Sequence, residues 1–148
     1  MEELFELRRY LEQQRYPEAL ALLGEMEEMS RDDKINKIYS HAVILLLHLI
    51  KQVSEQRTTR SWNFSIWEAT REIGRTNKRR KSGGYYLKEP ELNDILQEAY
   101  PPALKRAAME AFEGRYSDEE LDQQVKAESI QTQAMNLLKQ ETAVEIAS

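Results

Sequence analysis

The sequence contains no cysteine among its 148 residues. Disulfide frameworks, thiolate nucleophiles and zinc sites built on sulfur are therefore excluded. A chain of this size without cysteine is typical of a reducing compartment, and we expect a cytoplasmic location.

Long apolar runs and secretion signals are also missing. The longest apolar run, residues 42–50, has about half the length that a membrane-spanning helix requires. The N-terminal residues are acidic and amphipathic, whereas a signal peptide begins with a basic stretch and an apolar core. We expect a soluble protein that does not interact with membranes.

Glycine is scarce, with five residues, and the sequence motifs of common catalytic sites are absent. The only glycine doublet, in Ser82-Gly83-Gly84, is not followed by the lysine of a phosphate-binding loop, and there is no serine elbow. The sequence therefore predicts no cofactor and no catalytic residue. It favours a protein that is not an enzyme.

Charge is distributed unevenly along the chain. Residues 1–33 contain four basic and ten acidic side chains, a net charge of −6. Residues 34–81 contain eleven and three, giving +8, and residues 82–148 contain six and thirteen, giving −7. Either the segments pack against one another with complementary charge, or the basic middle binds an acidic partner.

Apolar residues recur at helical spacing along nearly the whole chain. This pattern predicts an all-α protein, a helical bundle of five to seven helices. Ser30 is expected to cap a core helix that runs to about Ser54, and Thr58 or Ser61 is expected to cap the next. Pro101-Pro102 is expected to kink or split a later helix, because two backbone donors are lost.

The C-terminal part of the sequence shows two conflicting helical faces. Ser117 and Glu120 form a capping-box signature for a helix that begins at Asp118. Leu121 and Val125 define one face of it, and the apolar residues after Val125 define the opposite face. We therefore predict a bundle domain at residues 1–125 and a separate, loosely docked helical extension at residues 126–148, which packs across Phe64 and Trp67 or mediates self-association.

The helix after Ser61 presents two faces of different character. Trp62 begins the face that is predicted to be buried. Phe64, Trp67 and Arg71 lie three and four residues apart on the opposite face and form a candidate interaction surface. Either this surface binds a partner or another helix covers it.

A basic run follows on the same helix and forms a candidate anion-binding site. Its cations lie beside the aromatic pair Tyr85-Tyr86, a combination found in weak nucleic-acid sites. The alternatives are binding to an acidic protein surface and, as the favoured explanation, a solvated helix end where the helix dipole favours positive charge. The members of the run are Arg75, Lys78, Arg79, Arg80 and Lys81.

His48 is the candidate for a chemical role. His41 is seven residues away, about 10.5 Å along a helix, and this separation is too large for one metal ion. A site would need His48 to converge with Glu27, Glu28 or Glu72 from neighbouring helices, as in metal-binding bundles. The alternative is a structural histidine.

Four segments carry a resemblance to a known family. They are EEMSRDDK, LLLHLIK, RSWNFSIWEATREI and EAYPPALKRAAMEA. In this order and spacing, the chain from residue 4 to residue 125 resembles the uncharacterised bacterial family called domain of unknown function 29. The chain departs from the family pattern at the double proline after Tyr100, at Trp67 and in the tail beyond Lys126.

The resemblance implies a helical fold and no defined reaction. It also implies marked positions in this chain, at Glu27, Glu28, His48, Lys51, Ser61, Trp62, Arg71 and Tyr100. With Glu72, the first four form a possible functional cluster. We expect a binding protein that acts through protein contacts or self-association; the alternatives are an enzyme or metal-binding bundle at His48, weak nucleic-acid binding through residues 75–81, or a purely structural subunit.

Overall fold

A computed structural model describes residues 2–79 and 83–147, with residues 143–147 as backbone only. Six α-helices are present in the described residues. They are α1 (Glu2–Glu12), α2 (Tyr16–Glu55), α3 (Arg60–Asn77), α4 (Glu89–Glu110), α5 (Asp118–Gln124) and α6 (Ala127–Ala147). The predicted all-α bundle of five to seven helices is confirmed.

The chain divides into two compact units, residues 1–36 and residues 37–148. In the first unit, α1 ends at Glu12, and Gln14 takes a left-handed conformation before α2 begins. The Arg15 guanidinium lies 4.8 Å from the centre of the Tyr10 ring. This cation–π contact joins the two sides of the turn. Ala19 is the buried apolar residue of this unit in the part of the chain that the structure describes.

The second unit contains the core of the protein. From α2 it buries an apolar series that is almost inaccessible to solvent, and α6 packs against both α3 and α4, while α5 packs against α4. The largest fully buried side chains are Ile38, Leu45, Leu46, Leu49, Ile50, Ile73, Leu96, Leu121 and Ile130.

The helix boundaries differ from the predicted ones at three places. Ser30 does not cap a helix, because α2 continues through it. The polar residues around Ser30 are exposed, so water solvates their side chains inside the helix and nothing forces a break. The cap of α3 is Thr59, whose hydroxyl accepts from the Trp62 N–H at 3.1 Å, not Thr58 or Ser61.

Pro101 and Pro102 do not split α4, which runs unbroken from Glu89 to Glu110. The two prolines remove the donors that would otherwise bond the carbonyl groups of Gln97 and Glu98. Both of those residues are exposed, so water can satisfy the carbonyl groups. Because the freed carbonyl groups face solvent, α4 continues through both prolines without a break.

The C-terminal region breaks where the two faces conflict, but it is not loosely docked. Ser117 and Glu120 form the predicted capping box, and α5 ends before Val125. In α6, Ile130 and Ala134 are 1% and 0% exposed. The first turns of α6 are therefore part of the core.

Candidate functional site

The two faces of α3 are oriented as the sequence predicted. Trp62 is 9% exposed, whereas Phe64 and Trp67 are 57% and 53% exposed. The ring centres of Phe64 and Trp67 are 5.8 Å apart, and the Arg71 guanidinium lies 5.4 Å from the Trp67 ring centre. Two large aromatic rings and a cation thus form one accessible cluster, which we call the α3 surface.

The described part of the C-terminal helix does not cover the α3 surface. The sequence offered two roles for that segment, and packing across Phe64 and Trp67 is the wrong one, because both rings remain half exposed in the described part of the chain. The buried residues of α6 instead face α3 and α4 from the core side. Self-association remains a prediction.

A second candidate site lies where the end of α2, the start of α3 and the end of α4 meet. It is a cleft of about 410 Å³. Small-molecule sites in proteins have volumes of this order. We call it the Lys51 cleft; its lining residues are Lys51, Glu55, Arg57, Trp62, Glu110, Phe112, Glu113 and Arg115.

Lys51 is the unusual residue of this cleft because it is a buried cation. It is 9% exposed, and its Nζ lies 4.7 Å from the centre of the Trp62 ring. No carboxylate of the described residues forms an ion pair with it; Glu55, one turn further along α2, pairs with Arg57 at 3.3 Å. This cation–π contact, worth about 0.5–2 kcal/mol, is the contact that stabilises the Lys51 charge within the described residues.

The opposite wall of the cleft contains two strained residues. Phe112 and Glu113 follow α4 with φ angles of 51° and 57°, the left-handed region that non-glycine residues seldom adopt. The Phe112 ring packs edge-on against Tyr116, with ring centres 5.3 Å apart. Such strain persists only where the surroundings impose it, and it often accompanies binding sites.

His48 is held by its own helix. Its Nδ1 lies 2.9 Å from the Ile44 carbonyl oxygen, which accepts, so Nδ1 carries the proton. Glu72 is engaged elsewhere, with Arg75 at 3.1 Å and Lys37 at 3.8 Å. Among the described residues, no group of three histidine or acidic side chains is arranged to hold a metal ion.

Glu27 and Glu28 belong to the same long helix as His48, not to a neighbouring helix as predicted. Both are exposed, and both lie in the first unit, whereas His48 lies in the second. The predicted route to a metal or catalytic site, through convergence of separate helices, is therefore wrong for this pair of acids. A chemical role for His48 stays a prediction.

The basic run is only partly described, because Arg80 and Lys81 lie outside the described residues. Lys78 and Arg79 are exposed, and the Arg79 guanidinium lies 5.3 Å from the centre of the Tyr86 ring. The Arg79 N–H also donates to the Gly84 carbonyl at 3.0 Å. The Arg79 guanidinium therefore contacts an aromatic ring of its own chain, and anion binding by the basic run stays a prediction.

The positions implied by the family resemblance fall in different surroundings. Lys51 and Trp62 meet in the Lys51 cleft, whereas Ser61 and Arg71 are exposed on α3. Tyr100 is buried and donates to the Asp122 carboxylate at 2.8 Å. Burial raises the pKa of the Tyr100 phenol well above its ordinary value, and the bond to Asp122 raises it further.

Sequence reasoning missed most of the Lys51 cleft. Arg57, Phe112 and Glu113 carried no periodic or motif signal, because their importance comes from contacts across the fold. Two signals were available: Lys51 is a lysine at the end of a long apolar run, where a buried charge demands an explanation, and the family resemblance marks both Lys51 and Trp62.

None of the helices in the described residues combines the length and hydrophobicity that crossing a bilayer requires.

Comparisons with known proteins give a family and no activity. The sequence model described as Domain of unknown function DUF29 matches residues 11–138. This match starts later than the resemblance at residues 4–125 and extends further, so it includes much of α6. No curated protein and no solved structure matches the chain.

Proposed function

We propose that this protein, which belongs to the family described as Domain of unknown function DUF29, is a non-enzymatic helical binding protein that acts through protein–protein contacts. The observation that supports this is the α3 surface, with two half-exposed aromatic rings in contact and Arg71 over Trp67. Tryptophan and arginine are enriched among the residues that dominate binding energy at interfaces.

The charge of the α3 surface specifies the partner. Arg60 and Arg71 lie on the same exposed face as the rings, at helical spacing from Phe64 and Trp67. Neither arginine forms an ion pair with an acid of the described residues, so both are available to a partner. A complementary segment must therefore be acidic and must carry exposed apolar side chains.

The first unit of this chain has that chemistry. Residues 1–33 carry a net charge of −6, from four basic and ten acidic side chains. Leu4 and Phe5 on α1 are 53% and 65% exposed, next to Glu2 and Glu3. We therefore assign a second copy of the chain as the partner, with its acidic first unit against the α3 surface.

Sedimentation of the purified protein over a range of concentrations tests this proposal. The wild type self-associates, more strongly at low salt because the contact joins opposite charges. Trp67→Ala and Phe5→Ala each weaken association at least tenfold, which corresponds to about 1.4 kcal/mol. Combining the two changes weakens it little further, because both remove the same contact.

Met109→Ala is the matched control, since Met109 is 77% exposed on α4 and lies outside both surfaces. This variant associates like the wild type. A protein that stays monomeric at all concentrations contradicts the proposal. So does a Trp67→Ala variant that behaves like Met109→Ala.

A further inference from the structure

Within the described residues, Lys51 contacts the Trp62 ring in the Lys51 cleft but has no ion-paired carboxylate. Lys51 is 9% exposed, lines a cleft of about 410 Å³, and forms no ion pair with an acid of the described residues. Buried charges in proteins are normally paired or hydrogen-bonded. The cleft leaves room for a ligand to supply the missing anion.

We propose that the Lys51 cleft binds a small molecule bearing a carboxylate or phosphate group, whose anionic oxygens bind Lys51 Nζ. Arg115 lines the same cleft and adds positive charge to it, whereas Arg57 lines it as the partner of Glu55. Arg57 lies 4.6 Å from the centre of the Trp62 ring, so two cations contact one aromatic side chain.

The rim of the cleft limits the class of ligand. Glu110 and Glu113 line it and are exposed, and neither forms an ion pair with a described residue. Their charges repel a large polyanion such as a nucleic acid. They favour a compact ligand, and one that also carries an ammonium group gains from them.

Trp62 provides a direct reporter of binding. The chain has two tryptophans, so a Trp67→Phe background leaves Trp62 alone. Acetate, inorganic phosphate and glycine are titrated separately into this protein at constant ionic strength. We expect a saturable change in Trp62 emission, with an apparent Kd in the millimolar range or below.

The three probes distinguish the source of the anion. Binding of acetate or phosphate identifies a simple anion site, and tighter binding of glycine than of acetate identifies a site for a zwitterion. Lys51→Met, which keeps the apolar length of the side chain, weakens every probe at least tenfold. Lys126→Met changes an exposed lysine and serves as the control.

A second variant tests the site without removing Lys51. Glu110→Gln with Glu113→Gln lowers the negative charge at the rim, so acetate and phosphate bind at least threefold more tightly, whereas Glu98→Gln at an exposed position of α4 has no such effect. The proposal is overturned if none of the three probes gives a saturable change. It is also overturned if the change persists unaltered in Lys51→Met.

Discussion

The side chain of Asn77 is hydrogen-bonded to both backbone groups of Leu87. Its Nδ2 donates to the Leu87 carbonyl oxygen at 3.0 Å, and its Oδ1 accepts from the Leu87 N–H at 2.8 Å. Both residues are buried, at 5% and 3% exposure. The Asn77 amide therefore links the end of α3 to Leu87, which lies just before α4. It makes the two hydrogen bonds to the Leu87 backbone that a neighbouring strand would otherwise make.

Asn77→Ala should lower the free energy of unfolding by about 2–4 kcal/mol, because two buried backbone groups lose their partners. Asn77→Asp should also destabilise, since a carboxylate cannot donate to the Leu87 carbonyl. Asn93→Ala, at an exposed position of α4, is the control. Equal urea midpoints for Asn77→Ala and Asn93→Ala would contradict the role of this bond pair.

Trp62 and Trp67 should differ strongly in their contributions to stability. Trp62 is buried beneath Lys51, so Trp62→Ala should cost about 3–5 kcal/mol. Trp67→Ala should cost less than about 1 kcal/mol, because the ring is half exposed. Denaturant unfolding of the two variants measures the difference, and coincident midpoints would show that the two rings have equivalent surroundings.

Helical periodicity predicted which side of α3 is buried because the angle between successive residues is fixed by the backbone. Trp62 and Trp67, five residues apart, were therefore assigned correctly to opposite faces. The capping box at Ser117 and Glu120 was also correct, because both of its hydrogen bonds are local. Local geometry is the part of this fold that the sequence predicts.

Features that depend on solvent or on distant contacts were not predictable in this way. Ser30 carries a cap signal, but an exposed serine is also tolerated inside a helix. Pro101 removes a helical donor, and the consequence depends on whether water reaches the freed carbonyl. The packing of three helices determines the contact of Lys51 with Trp62 and the position of Phe112 in the same cleft. Neither feature produces a periodic pattern in the sequence.

Ile130→Ala should lower the free energy of unfolding by about 2–5 kcal/mol, because Ile130 is 1% exposed and its removal leaves a cavity between α6 and its neighbours. Gln133→Ala, at an exposed position of α6, should have little effect. Thermal unfolding of both variants gives the comparison. If Ile130→Ala unfolds at the temperature of the control, α6 is only loosely attached.

Pro101→Ala should stabilise the protein by about 1–2 kcal/mol, because the new N–H can bond the Gln97 carbonyl within the continuous α4 helix. Pro90→Ala is the matched control: Pro90 lies in the first turn, where the N–H has no helical acceptor. That change should leave stability nearly unaltered. Destabilisation by Pro101→Ala would mean that the backbone there is not helical.

Tyr100 should make the stability of the second unit sensitive to alkaline pH. Burial raises the pKa of its phenol above the ordinary value of about 10, and the hydrogen bond to Asp122 acts in the same direction. Between about pH 10 and the folded-state pKa, the unfolded chain loses this proton while the folded chain retains it. The stabilising contribution is therefore complete below about pH 10 and declines as the pH rises further.

Tyr100→Phe should remove this alkaline dependence. Near neutral pH the variant should be less stable by about 1–2 kcal/mol, because Asp122 loses a hydrogen-bond donor. From about pH 9 to pH 11 its free energy of unfolding should fall less steeply than that of the wild type, so that the two curves converge. Tyr16→Phe changes a tyrosine that is 55% exposed and should run parallel to the wild type. Parallel curves for Tyr100→Phe and the wild type would show that the phenol titrates alike in the folded and unfolded chains.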